Sequence, residues 1–162
     1  MGTLPARIAG LESRKRIPPD ARPKVRQHQE SLLIETPGRG LVELTERIAD
    51  IVRRSGMTVG LATVFCRHTS ASLVLAENAD PSASRDLLDW LERIAPDGDP
   101  AYSHDAEGPD DMAAHLRTAL LRSSETIPIR GGELALGTWQ GLFLAEHRAR
   151  PHRREIVVHL VG

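Results

Sequence analysis

The chain has one cysteine, Cys66, in 162 residues, so no disulfide can close within it and a reducing, cytoplasmic location is expected. Aromatic residues make up only 3%, five side chains in all, so the core must be built from Leu, Ile, Val and Ala. No apolar run approaches the roughly 20 residues needed to span a membrane. The first residues carry no apolar stretch of signal-peptide type, so neither membrane insertion nor secretion is expected. Net charge is −1, which gives no global attraction to nucleic acid or to an anionic bilayer. Neither G-x-x-x-x-G-K-[ST] nor G-x-G-x-x-G occurs, so the two common nucleotide-cradling loops are missing.

The rest is that of an ordinary globular protein, with 40% hydrophobic and 27% charged residues. Residues 1–24 stand apart. Six Lys or Arg face two acids there, and Pro5, Pro18, Pro19 and Pro23 interrupt them. That is the composition of a basic, disordered extension, with a basic arm for an acidic partner as the competing reading. Residues 25–162 read as a single domain.

Within it, Val25–Ile34 reads as a strand ended by Thr36-Pro-Gly-Arg-Gly40. Leu41, Leu44, Ile48, Ile51 and Val52 recur at helical spacing, with Gly56 just past the end. Met57–His68 and Ala71–Glu77 read as strands. Asp80 then offers an N-cap and Pro81 a first-turn residue for a helix ending before Pro96. A further helix runs from about Pro109 to Leu121. Glu125–Arg130, Glu133–His147 (with a break at Gly137) and Glu155–Val161 complete a β-rich end, and Gly131-Gly132 marks a hairpin. The expected class is α+β: a small single domain with a largely antiparallel sheet or sandwich and about three helices.

Two segments concentrate chemistry. Tyr102–His115 carries His104, Asp105, Glu107, Asp110, Asp111 and His115. Gly137–Arg148 carries Trp139, Gln140, Glu146, His147 and Arg148. Asp111 and His115, four apart at a helix start, share a face, and a carboxylate beside an imidazole fixes its tautomer. The competing reading makes Asp110 and Asp111 first-turn acids that complement the helix dipole. His104, Asp110, Asp111 and His115 are the metal-ligand candidates, although their spacing matches no standard zinc motif. Glu146 and Arg148 share a strand face, as an ion pair or as an acid/base beside a phosphate clamp. His68 closes a strand, as a site residue or as a histidine hydrogen-bonded to its neighbours. The hydroxyls of Thr69 and Ser70 suit phosphate oxygens or a turn. Cys66 reads as a small buried apolar group.

Six segments carry a family resemblance: RHTSASL (Arg67–Leu73), ENADP (Glu77–Pro81), YSHDAEGPDDMAAHL (Tyr102–Leu116), Ile127-Pro128, LGTWQGLFLAEHR (Leu136–Arg148) and the late basic β end. In this order they resemble the secondary thiamine-phosphate synthase family, also called YjbQ-like proteins, over about residues 25–162. Ala113 stands where that pattern often has proline. The resemblance implies a small α+β homotrimer. It also implies a transferase that joins an aminopyrimidine methyl diphosphate to hydroxyethylthiazole phosphate with release of pyrophosphate.

On that reading His68, His115, Glu146 and Arg148 are catalytic. Thr69, Ser70, Asn78, Trp139, Gln140 and His147 bind a phosphorylated small molecule. His104, Asp110, Asp111 and His115 hold a divalent ion, Mg²⁺ for the transferase, with Zn²⁺ as the alternative. Two further readings compete: a metal-dependent hydrolase using the histidine cluster, and a non-catalytic trimer that binds a ligand or partner. Neither nucleic acid nor membrane is an expected partner.

Overall fold

The computed structural model describes residues 24–162; the basic tail up to residue 23 lies outside them. The elements are β1 (Gln27–Thr36), β2 (Gly40–Glu43), α1 (Thr45–Ser55), β3 (Val59–Cys66), β4 (Ala71–Glu77), α2 (Pro81–Ile94), α3 (Asp111–Leu120), β5 (Ser124–Arg130), β6 (Glu133–Leu134), β7 (Gln140–Glu146) and β8 (His152–Val161). The α+β class with three helices is as expected.

Two antiparallel sheets form, one of five strands in the order β1-β8-β3-β5-β6 and one of three in the order β2-β7-β4. Alternation explains the first. Ala62, Val64 and Cys66 on β3 face inward beside Ile156, Val158 and Leu160 on β8 and Ile127 and Ile129 on β5. Leu73, Leu142 and Leu144 of the second sheet and Ile48, Ile51 and Val52 of α1 join them in one core. Between β5 and β6, Gly131 and Gly132 both have positive φ (64° and 85°), which the tight hairpin requires.

Asp80 caps α2 as expected: its carboxylate accepts from the Ser82 amide at 2.8 Å, with Pro81 in the first turn. Gly56 ends α1 in the left-handed region. The break expected at Gly137 is present: residues 135–139 leave the ladder and divide Glu133–His147 into β6 and β7. Two sequence expectations fail. Leu41 is in a strand, not a helix, because β2 pairs along β7 and α1 begins only at Thr45. β8 begins at His152 rather than Glu155, because its pairing with β1 extends to Thr36.

The functional segments end up around one end of β7. Ala71 pairs with Glu146 there, and Glu77 pairs with Gln140 at the other end. Six residues of strand separate those ends by about 20 Å. No helix among the described residues is long and apolar enough to cross a membrane.

Candidate metal centre

α3 carries the centre. Its first residue, Asp111, is 2% exposed, and His115 lies one turn on. The loop before α3 brings in His104. His104 Nε2 lies 2.9 Å from Asp111 Oδ2, and His115 Nε2 lies 3.6 Å from Asp111 Oδ1. The two imidazole centroids are 5.3 Å apart. One donor atom from each of the three residues falls within 4.8 Å of the others.

The surroundings prepare these atoms. His115 Nδ1 lies 2.8 Å from the Thr69 carbonyl, and a carbonyl only accepts, so Nδ1 carries the proton and Nε2 is left toward Asp111. Asp111 Oδ1 accepts from the Arg148 guanidinium. Asp111 Oδ2 is buried and has no hydrogen-bond partner among the described residues, although His104 Nε2 is close. A buried carboxylate oxygen without a donor is costly, and it marks a place built for another group. Two imidazoles and one carboxylate suit zinc better than magnesium, which prefers an all-oxygen shell.

Asp110 is close by but plays a different part. It occupies the N-cap position of α3 but its side chain makes no cap bond; its Oδ2 accepts from the Ala149 amide (2.7 Å) and Arg148 Nε (3.3 Å). Burial alone would raise its carboxyl, but the Ala149 amide and the Arg148 charge outweigh that and hold it below the ordinary carboxylate range. Arg148 also donates to the Glu107 carbonyl at 2.8 Å. The two acids are therefore neither caps nor dipole partners alone; they fix Arg148.

The expected Glu146–Arg148 ion pair is not formed. Glu146, fully buried, pairs with Arg154, which donates from Nε (2.7 Å) and from its terminal nitrogen (2.6 Å). Thr36 Oγ1 donates to it at 2.8 Å and the Arg148 amide at 3.0 Å. Burial would raise this carboxyl, but those four donors overrule it and keep it low. Arg154 was not among the sequence candidates. It lies on β8, opposite Ile34 of β1, and reaches Glu146 of β7 in the other sheet.

The other predicted residues are distributed as follows. His68 Nε2 accepts from the Glu155 amide at 2.8 Å, and burial with the nearby Arg154 charge lowers its pKa. His147 is buried with Nε2 2.9 Å from Ser72 Oγ; burial and Arg117 depress its pKa to about 4, so its ring is neutral at pH 7. The Ser70 carbonyl accepts from the His147 amide and from Arg154. Asn78, Trp139 and Gln140 sit at the far end of β7: Trp139 is 65% exposed, the Asn78 amide donates to its carbonyl, and Gln140 Oε1 accepts from the Gly137 amide. The Trp–Gln pair is thus not in one cleft with the histidines of the same chain. Burial pushes the Cys66 thiol up to about 11, consistent with a packing role.

A family model described as UPF0047 protein YjbQ-like matches residues 30–162. A UPF0047 protein of Synechocystis sp. is 53% identical over 137 residues, covering 85% of this chain and 93% of that one. The UPF0047 protein YjbQ of Escherichia coli O157:H7 is 37% identical, over 83% of this chain and 98% of its own. Among solved structures, a YbjQ-like protein of unknown function from Sulfolobus solfataricus superposes with a TM-score of 0.79 at 26% identity, over 86% of this chain and 99% of that one. A YjbQ/UPF0047 protein from Clostridium acetobutylicum gives 0.69 at 36%, over 80% and 97%.

These matches correct the functional expectation. None of their descriptions names thiamine-phosphate synthase, a transferase or thiamine biosynthesis. The geometry gives the physical reason: the cation expected to stabilise departing pyrophosphate, Arg148, is engaged by Asp110, Asp111 and the Glu107 carbonyl.

Proposed function

The chain belongs to the UPF0047 YjbQ-like family, and we propose that it is a metal-dependent hydrolase, with zinc held by His104, Asp111 and His115. The observation that carries this reading is the buried Asp111 carboxylate, whose Oδ2 makes no hydrogen bond and lies beside His104 Nε2, with His115 Nε2 beside its other oxygen. Three protein donors match the pattern of catalytic zinc sites, which keep a further position open, whereas structural sites use four. When bound, such an ion supplies Lewis acidity, enough to activate water near neutral pH.

The remaining residues prepare the centre. Thr69 orients His115 through its carbonyl. Arg148 holds one oxygen of Asp111 and so leaves the other for the ion. Outer partners of this kind commonly change metal affinity 10- to 100-fold. Asp110 anchors Arg148 and the Ala149 amide behind it.

A homotrimer is part of the proposal. Leu33, Leu61 and Phe65 are exposed on the outer face of the five-stranded sheet, with Val59 at its end. These side chains stand among polar neighbours such as Thr63, Glu155 and His159, and large apolar groups exposed on a sheet face are suited to packing between copies.

The test is turnover by protein reconstituted with one equivalent of Zn²⁺, against a panel of small esters, amides and phosphate esters. Wild type is expected to turn over at least one class and His115→Ala none. A protein that binds zinc yet hydrolyses nothing in the panel would be a binding protein, and the hydrolase reading would fail.

A further inference from the structure

A cleft of about 420 Å³ adjoins the metal triad, lined by Asp99, Tyr102, His104, Asp105, Gly108 and their neighbours. Its lining contains two carboxylates, one phenol ring and no Lys or Arg. The one cation at the centre, Arg148, is occupied. Nε donates to Asp110, one terminal nitrogen to Asp111 and the other to the Glu107 carbonyl, with the Glu107 carboxylate 3.6 Å away. Glu107, Asp110 and Asp111 surround that one guanidinium and Asp99 and Asp105 line the cleft, so with a bound dication these groups together would still be net negative.

An acidic surface alone would mean little. Here the buried Asp111 Oδ2 lacks a partner and lies 2.9 Å from Nε2 of His104, whose ring lines the same cleft. Tyr102 adds an aromatic wall, and a ring beside carboxylates favours a desolvated organic cation. A phosphate or carboxylate group would meet repulsion on each charged wall, with no unengaged guanidinium to receive it.

We propose that this cleft binds the ammonium or guanidinium group of the ligand on which the metal centre acts. This rests on the metal-site reading, and it replaces a phosphorylated substrate with a cationic one. Asp99 and Asp105 supply the charge. Asp99 also keeps its loop, since its Oδ1 accepts from the Ala101 amide at 2.9 Å, a bond that asparagine can retain.

The test compares three ligands with the same ring, benzamidinium, benzoate and phenyl phosphate, by calorimetry on metal-free and on zinc-loaded protein. Benzamidinium is expected to bind about tenfold or more tightly than either anion to the metal-free protein. The double variant Asp99→Asn/Asp105→Asn is expected to lose most of that preference while keeping its circular dichroism spectrum. Equal or tighter binding of phenyl phosphate to metal-free protein would overturn the proposal, as would a preference untouched by the double variant. Failure to take up zinc would instead remove the metal reading, and the metal-free ranking would still decide the cleft.

Discussion

Glu146 and Asp111 are both buried carboxylates held by an arginine, and they have opposite characters. Glu146 accepts four hydrogen bonds, from Arg154 twice, from Thr36 and from the Arg148 amide. Asp111 has Arg148 on one oxygen and no hydrogen bond on the other. Burial and charge alone would rank the two alike. Satisfaction separates them: a carboxylate whose acceptor sites are filled is a fastener between sheets, and one left short beside imidazoles is prepared for a ligand.

The largest expected effect comes from breaking the fastener. Arg154→Met strands the Glu146 charge in the interior, and removing one partner of a buried pair costs about 3–5 kcal/mol. Urea unfolding should show that loss; a variant as stable as wild type would mean that Glu146 is not held by Arg154.

Acid should act on the same end of β7 through His147. Its folded pKa, about 4, lies below its ordinary value of 6.5, so the unfolded chain takes up this proton first as pH falls. Its contribution is complete above about pH 6.5 and is lost as pH drops toward 4, on the order of 3 kcal/mol in all. Thermal unfolding of His147→Gln should follow a flatter pH curve over that window. A parallel curve would contradict the assignment.

The prepared side of the comparison should respond to metal. At zinc concentrations 100-fold above Kd, wild type gains about 2.7 kcal/mol of stability by mass action. His115→Ala should gain far less, and equal gains would place zinc elsewhere.

The smallest effect is expected at Arg53, which reaches Glu46, Asp50 and Glu133 on the open surface. Exposed pairs contribute little. Arg53→Ala should leave the urea midpoint unchanged within error, and a clear shift would show that counting contacts matters more than satisfying buried ones.

Local chemistry was readable in the chain. Asp80-Pro81 announced α2, Gly131-Gly132 announced the β5–β6 hairpin, and the four-residue spacing of Asp111 and His115 put two of the three residues of the candidate metal centre on one helix face. Long-range pairing was not. Leu41 falls at helical spacing from Leu44 and Ile48, and only its pairing with Ala145 makes it a strand residue. Arg154 is eight positions from Glu146, and no periodicity links residues that meet across two sheets. Trp139 and Gln140 are near His147 in sequence, yet an extended strand carries them about 20 Å from the site end. The Thr69 carbonyl that orients His115 is a backbone group, and side-chain patterns do not report it.

The most direct test is a calorimetric zinc titration of metal-free wild type beside Asp111→Asn, with the folded fraction of each fixed by circular dichroism. One zinc per chain is expected in wild type, and affinity at least tenfold weaker in the variant, whose amide offers the ion no charge. Absence of zinc uptake by wild type, or equal affinity in folded Asp111→Asn, would contradict a zinc centre at Asp111.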